Sequence, residues 1–303
     1  MDLQIAPEVA AALAGRRSVV ALESTVISHG LPYPHNVELA RAMEAEVRGG
    51  GATPATIGIV GGTPTVGMTD DDILRFAKNP HVLKLSRRDL GYAAAMGADG
   101  ATTVAGTMAL AAMAGVRIFA TGGIGGVHRG ARDSWDISAD LTELARTPVL
   151  VVCAGTKAIL DLPATLEYLE TAGVPVLGYG TDEFAAFYSR QSGLNVRPAE
   201  DAAQVAAVWR AHLALGGGSG MVLAVPPPAD VALDAADIEV HIKRALARAA
   251  AADVRGQAVT PFLLSAMAEE TDGESVRTNV ALLRNNARVA ASVAAHIERG
   301  NRH

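Results

Sequence analysis

The 303-residue sequence is poor in lysine, cysteine and aromatic side chains, and it contains no long apolar run. A single cysteine, Cys153, excludes an internal disulfide and a cysteine-rich zinc site. It sits inside the apolar run Val149-Leu150-Val151-Val152-Cys153-Ala154, where it reads as a small buried hydrophobe and not a catalytic thiol. No stretch approaches the ~20 apolar residues that span a bilayer. The first residues lack a basic-then-apolar leader pattern. Positive charge is not in excess either. The formal net charge of -6 argues against a general nucleic-acid binder. These absences together suggest a cytoplasmic protein with no membrane or nucleic-acid partner.

What remains is aliphatic and small. Half the residues are hydrophobic, only 4% are aromatic, and 31 are glycine, which favours close packing of helices on a sheet. Short apolar runs alternate with amphipathic stretches. The pattern predicts strands over 18–22, 56–60, 82–85, 117–120, 149–153, 176–179 and 221–225. It predicts helices over 7–14, 36–48, 70–77, 103–114, 140–145, 165–172, 199–215, 234–252 and 275–298. Continuously apolar strands alternating with helices imply an α/β fold: three layers, α-β-α, around a largely parallel sheet. The whole chain, 1–303, is expected to form a single domain with a small hairpin near 58–68. Gly216-Gly217-Gly218-Ser219-Gly220 leads at once into an apolar strand, which favours a tight turn over a linker. The Ala-rich C-terminal third is expected to pack on one flank. No internal repeat interrupts this pattern.

The lysines are the most informative residues. Arginine supplies nearly all the positive charge, and there are four lysines. Lys78 and Lys243 occupy polar helical settings, while Lys84 and Lys157 sit in apolar ones. Lys157 follows the 149–154 run across the turn pair Gly155-Thr156, at the mouth of a buried strand. Arginine there could hold an anion but could not lose a proton and attack carbon. An amine whose charged form is disfavoured by burial can do so, and can form a Schiff base with a sugar carbonyl.

Other polar residues cluster at strand ends. Val19-Val20-Ala21-Leu22 runs into Glu23-Ser24-Thr25, so a carboxyl emerges where a strand does; it is either a turn cap or a general acid. Lys84, near Arg87 and Arg88, either faces solvent or meets an anion such as phosphate. Residues 122–130 hold five glycines in nine positions and end in His128-Arg129-Gly130. That loop can offer backbone N–H groups to a phosphate, or can be merely a turn that needs glycine. It is neither a dinucleotide fingerprint nor a P-loop. Asp136 and Asp140 flank Ser138 at the start of a helix. Ser138 or Asp140 can be an N-cap, or the two carboxylates can hold a hard divalent ion. His29, His35, His81 and the C-terminal histidines show no ligand spacing and default to structural or solvated roles.

Taken in order, these stretches resemble the pseudouridine-5'-phosphate glycosidase family, also called indigoidine-synthase A-like. The likeness runs through Ala21-Leu22-Glu23-Ser24-Thr25, His29-Gly30-Leu31-Pro32-Tyr33-Pro34, Gly51-Ala52-Thr53-Pro54-Ala55-Thr56 and Ser86-Arg87-Arg88-Asp89-Leu90. It continues through residues 120–130, Asp136-Ile137-Ser138-Ala139-Asp140-Leu141, Cys153-Ala154-Gly155-Thr156-Lys157, Gly178-Tyr179-Gly180-Thr181-Asp182-Glu183-Phe184 and Val259-Thr260-Pro261-Phe262-Leu263-Leu264. It covers nearly the whole chain. The resemblance implies reversible cleavage of the C–C glycosidic bond of pseudouridine 5'-phosphate to uracil and ribose 5-phosphate, through a lysine imine with ring-opened ribose.

By the same resemblance Lys157 is the nucleophile and Glu23 the proton donor. Lys84, Val104, Ser138, Ala139 and Asp140 are substrate contacts, Asp136 is the Mn2+ ligand, and Thr121, His128 and Asn279 surround the phosphate. A homotrimer is implied, and the sugar kinase fused to this domain in some relatives is not expected, the sequence ending at His303. Departures from the family pattern are Thr156 and Ala158 beside the lysine, and Ala101 and Gly106; none removes a reacting group. Two other readings compete: a phosphosugar-binding accessory protein without turnover, and an imine-forming aldolase. The full set of reacting groups disfavours the first, and the whole-chain likeness the second.

Overall fold

The computed structural model describes residues 2–254 and 256–300, so the C-terminal His303 lies outside it. Among the described residues eleven strands form one sheet. In chain order they are β1 Gln4–Ile5, β2 Val19–Leu22, β3 Thr53–Val60, β4 Thr63–Val66, β5 Leu83–Leu85, β6 Gly100–Thr102, β7 Ile118–Ala120, β8 Leu150–Cys153, β9 Val176–Tyr179, β10 Arg197–Ala199 and β11 Met221–Ala224. The spatial order is β1-β4-β3-β2-β7-β8-β11-β9-β10, with β6 pairing both β3 and β5. Every pairing is parallel except β3 with β4 and β3 with β6.

Strand periodicity sorts the two faces. Val20 and Leu22 of β2, Ile118 and Ala120 of β7, and Leu150 and Val152 of β8 share one core cluster. That cluster includes the helices His35–Gly49, Ala202–Ala214, Ala235–Ala251, Val259–Glu270 and Glu274–Gly300. Val19 and Ala21, Phe119, and Val151 and Cys153 point the other way, onto Pro7–Ala14, Val104–Ala114 and Ala139–Arg146. The three-layer expectation is therefore met, and the C-terminal helices do cover one flank. Each fully buried Val, Leu or Ile on these faces is worth roughly 1.5–3 kcal/mol relative to exposure, so the sheet faces dominate the stability.

The hairpin appears as β3–β4, turning at Gly61 and Gly62 with φ of 54° and 84°. Residues 216–220 are a turn: the Gly217 N–H donates to the His212 carbonyl at 2.9 Å and β11 follows directly. Three strands, β1, β6 and β10, were not legible in the sequence. Each is two or three residues long, too short to show a period. The helix expected over 199–215 starts later, at Ala202. Residues 197–199 pair with β9, and the Asp201 side chain caps the helix by accepting from Gln204 N at 2.8 Å. The helix Val259–Glu270 was not expected as a separate element.

One packing detail yields a pH prediction. Glu44, on His35–Gly49, accepts a hydrogen bond from the Thr56 hydroxyl at 2.6 Å. Burial pushes its carboxyl above the ordinary 4.5, opposed by that hydrogen bond and by Arg48. The folded protein therefore binds this proton more tightly than the unfolded chain. Stability contributed by the protonated form is fully present below the unfolded value and is lost as pH rises through the folded one. Glu44→Gln should raise the thermal midpoint at pH 7 and have no such benefit below pH 4. Melting curves at the two pH values check this, and an equal shift at both would contradict it.

Candidate active site

The carboxyl ends of β2, β7 and β8 all deliver loops to the same side of the sheet, where parallel α/β folds place their chemistry. A cavity of about 460 Å³ opens there, within the size range of small-ligand sites. Glu23, Lys84, Val104, His128, Asp136, Ser138, Ala139, Asp140, Lys157 and Asn279 all line it. Residues separated by more than 250 positions in sequence thus share one wall.

Lys157 stands on a turn that leaves β8 through Gly155, whose φ of 75° and close approach to the Ala185 carbonyl leave no room for a side chain. The glycine loop after β7 runs beside this turn. Ile124 N–H donates to Gly155 O at 3.0 Å, Lys157 N–H to Ile124 O at 3.1 Å, and Asp161 N–H to Val127 O at 2.9 Å. The glycine loop therefore holds the lysine turn, a role the sequence did not suggest.

Glu23 emerges from β2 half-buried, and both its carboxylate oxygens are engaged. The Thr25 hydroxyl donates to Oε2 and the Thr121 hydroxyl to Oε1. Thr121, expected near the phosphate, does not line the cavity; it is fully buried and acts on Glu23 instead. Lys84 lies close enough to sense both Glu23 and Lys157. Burial lowers its pKa, Lys157 lowers it further, and Glu23 and Asp140 oppose the shift. His128 is likewise held toward the neutral form by burial; Asp136, 3.6 Å from Nδ1, opposes this and Lys157 adds to it.

Asp140 is 6% exposed, and its carboxylate is already spent. Oδ1 accepts from Ala105 N at 2.9 Å and Oδ2 from Gly125 N at 2.8 Å. It ties the glycine loop to the first turn of Val104–Ala114, which leaves Asp136 as the carboxylate open to a cation. A Cβ on Gly125 would fall 2.2 Å from Ser138 Oγ, so this close approach requires glycine.

Two arginines are not where the sequence suggested. Arg87 is committed to the fully buried Glu143, and Arg129 does not line the cavity but pairs with Glu239. Only Arg88 of the three reaches the wall. Burial pushes the Cys153 thiol up to about 12, consistent with a structural cysteine.

Several contributors were missed. His29, set aside as structural, lines the cavity; burial and then Lys84 disfavour its charged form, against the carbonyls of Leu83 and Val82. Asn286, fully buried on Glu274–Gly300, donates to the Thr121 carbonyl at 2.8 Å and fixes the end of β7. Its only sequence signal was an asparagine seven residues after Asn279, on the same helix face. Of the family departures, Thr156 is fully buried with an unpartnered hydroxyl. Gly106 is required here, since a Cβ would lie 2.8 Å from the Leu85 carbonyl.

The fold and site define an α/β protein with a cleft lined by Lys84, Lys157 and the carboxylates of Glu23, Asp136 and Asp140, at the carboxyl edge of a mostly parallel sheet. The comparisons agree with that class. The family described as "Indigoidine synthase A like protein" matches residues 8–296. A pseudouridine-5'-phosphate glycosidase of Herpetosiphon aurantiacus is 66% identical over 96% of this chain and 97% of its own length. One from a Roseiflexus species is 68% identical over 98% and 96%. The crystal structure of the prealnumycin C-glycosynthase AlnA in complex with ribulose 5-phosphate superposes with a TM-score of 0.92 at 44% identity, covering 99% of this chain and 98% of that one. An indigoidine synthase A-like protein from Thermotoga maritima gives 0.87 at 33%, covering 93% and 94%. The chain belongs to the indigoidine-synthase A-like family.

Proposed function

We propose that this chain is a pseudouridine-5'-phosphate glycosidase that cleaves, reversibly, the C–C bond between ribose 5-phosphate and uracil. The observation that carries this reading is the convergence of Lys157, Lys84 and Glu23 on one cavity. The names of relatives at 63–68% identity support it. So does the phosphosugar named in the AlnA complex.

A C–C glycosidic bond has no leaving heteroatom to protonate, so a two-carboxylate hydrolysis has little to act on. The Lys157 amine attacks the anomeric carbon, and the ring oxygen departs with a proton supplied by Glu23. The nitrogen lone pair then forms an imine as the C–C bond pair flows into the uracil ring, whose carbon takes a proton. Water hydrolyses the imine to ribose 5-phosphate and frees Lys157. Thr25 and Thr121 hold Glu23 in place for its transfers. Lys84 and His128 face the anionic sugar phosphate, whose binding energy orients the anomeric carbon.

The donor set suits a hard cation. Asp136 offers a half-exposed carboxylate on the cavity wall, which Ser138 also lines, and among the described residues no group of three or more His, Cys, Asp or Glu forms a closed cage. A Mn2+ held by Asp136 and largely by water would polarise substrate oxygens. A homotrimer and a cytoplasmic location belong to the same reading; among the described residues no helix is long and apolar enough to cross a membrane. The test is synthesis of pseudouridine 5'-phosphate from uracil, ribose 5-phosphate and Mn2+, followed by chromatography. Failure to form it would reject the glycosidase. Tight phosphosugar binding without product would favour the accessory-protein reading.

A further inference from the structure

The Arg129 guanidinium is the one strongly basic group of the glycine loop, yet it does not line the cavity. All three of its nitrogens donate. Nη1 and Nη2 donate to the two Glu239 oxygens at 2.7 and 2.9 Å. Nη2 also donates to Ala158 O at 3.2 Å, and Nε to Leu160 O at 3.4 Å. Both carbonyls belong to the turn that carries Lys157, whose own carbonyl accepts from Leu160 N at 3.0 Å. Glu239 lies on Ala235–Ala251, and the segment after that helix reaches the cavity wall at Gly256.

A surface ion pair is worth little by itself, ~0–1 kcal/mol. This one is bidentate, and its cation also bridges two carbonyls one residue either side of Ile159. We propose that Arg129 and Glu239 form a positioning clamp that sets the Lys157 turn at the distance where its amine reaches the sugar carbon. Glu239 aims the guanidinium plane and neutralises it, so that the fork binds carbonyls and does not compete for the substrate phosphate. The pair also couples the C-terminal flank to the nucleophile. The clamp rests on the proposed glycosidase reading, since it assigns Arg129 a role only if Lys157 is the attacking group.

Arg129→Lys keeps the charge and the pairing with Glu239, but a single ammonium cannot span both carbonyls and the carboxylate. Each protein is mixed with ribose 5-phosphate and reduced with borohydride at timed intervals, and the Lys157 adduct is quantified by peptide mass. Ribose 5-phosphate affinity is measured by calorimetry and thermal midpoint by circular dichroism. Misplacing a reacting group by about 1 Å can cost ~10²-fold. Adduct formation in Arg129→Lys should therefore slow by about that factor, with affinity within threefold of wild type. Glu239→Gln, which leaves the arginine in place but without its aiming charge, should slow it less.

An unchanged adduct rate in Arg129→Lys would overturn the clamp. So would a rate that falls only in proportion to affinity, because that marks a wall residue. If Arg129→Lys fails to fold, Glu239→Gln decides by the same two readouts. Absence of any adduct in wild type would instead reject the Lys157 nucleophile, a failure of the functional reading and not of the clamp alone.

Discussion

Lys157→Ala should lower turnover by ~10⁴–10⁶-fold, the scale seen when a covalent nucleophile is removed, while phosphosugar affinity changes little. Affinity should persist because Lys84, His128 and Asn279 remain on the wall. Lys157→Arg should be as inactive as the alanine variant. It restores the positive charge but presents a guanidinium that cannot deprotonate to attack carbon. This pair of variants separates two roles for the residue. An electrostatic anchor for phosphate would be rescued by arginine, and a nucleophile would not. Steady-state synthesis of pseudouridine 5'-phosphate, with calorimetric binding of ribose 5-phosphate, measures both effects. Arginine rescue to within tenfold of wild type would remove Lys157 from the covalent step.

The largest stability effect should come from a site outside the cavity. Glu143 is completely buried midway along Ala139–Arg146, where its carboxylate meets Arg87 at 2.5 Å, Arg146 at 2.8 Å and the Thr147 hydroxyl at 2.5 Å. Both arginines are about half exposed, so the burial cost falls almost wholly on the carboxylate. Replacing Arg87 and Arg146 together by methionine keeps their bulk and strands an uncompensated buried charge, which should cost ~3–5 kcal/mol. Glu143→Gln leaves the arginines free to turn into water and should cost less, ~1–3 kcal/mol. Urea denaturation at pH 7 gives both values. If the glutamine variant proves the more destabilising, then the carboxylate is not supported by its arginines in the way the distances indicate. Because Arg87 follows β5, which carries Lys84, the double variant should also perturb the cavity.

Much of the site was readable because chemistry and chain position coincide. Lys157 and Glu23 directly follow apolar strands, so the sequence marks them as polar groups at strand mouths. Asp136 and Ser138 were visible as oxygen donors before a helix. The arginines misled for a physical reason. Composition shows that a guanidinium is near a candidate phosphate site, but not which carboxylate it meets. Glu143 is 56 residues from Arg87 and Glu239 is 110 from Arg129. Asp140 lines the cavity as expected, but nothing local reveals that its two oxygens accept amides from Ala105 and Gly125. Thr121 and Asn286 were opaque for the same reason, since each acts through a partner that only folding brings close.

The sequence by itself determined the layered α/β architecture, because side-chain period along each strand dictates which residues can face which helices. It also marked Lys157, Lys84 and Glu23 as polar groups in or beside apolar strands, and all three line the cavity. The tertiary structure alone decided how those groups are held. Glu23 is gripped by two threonines, the lysine turn is laced to the glycine loop, and charges expected at the phosphate are spent on buried or flanking carboxylates. Hydrogen-bond partners far apart in the chain depend on the register of a sheet and the seating of helices, and no local pattern encodes either.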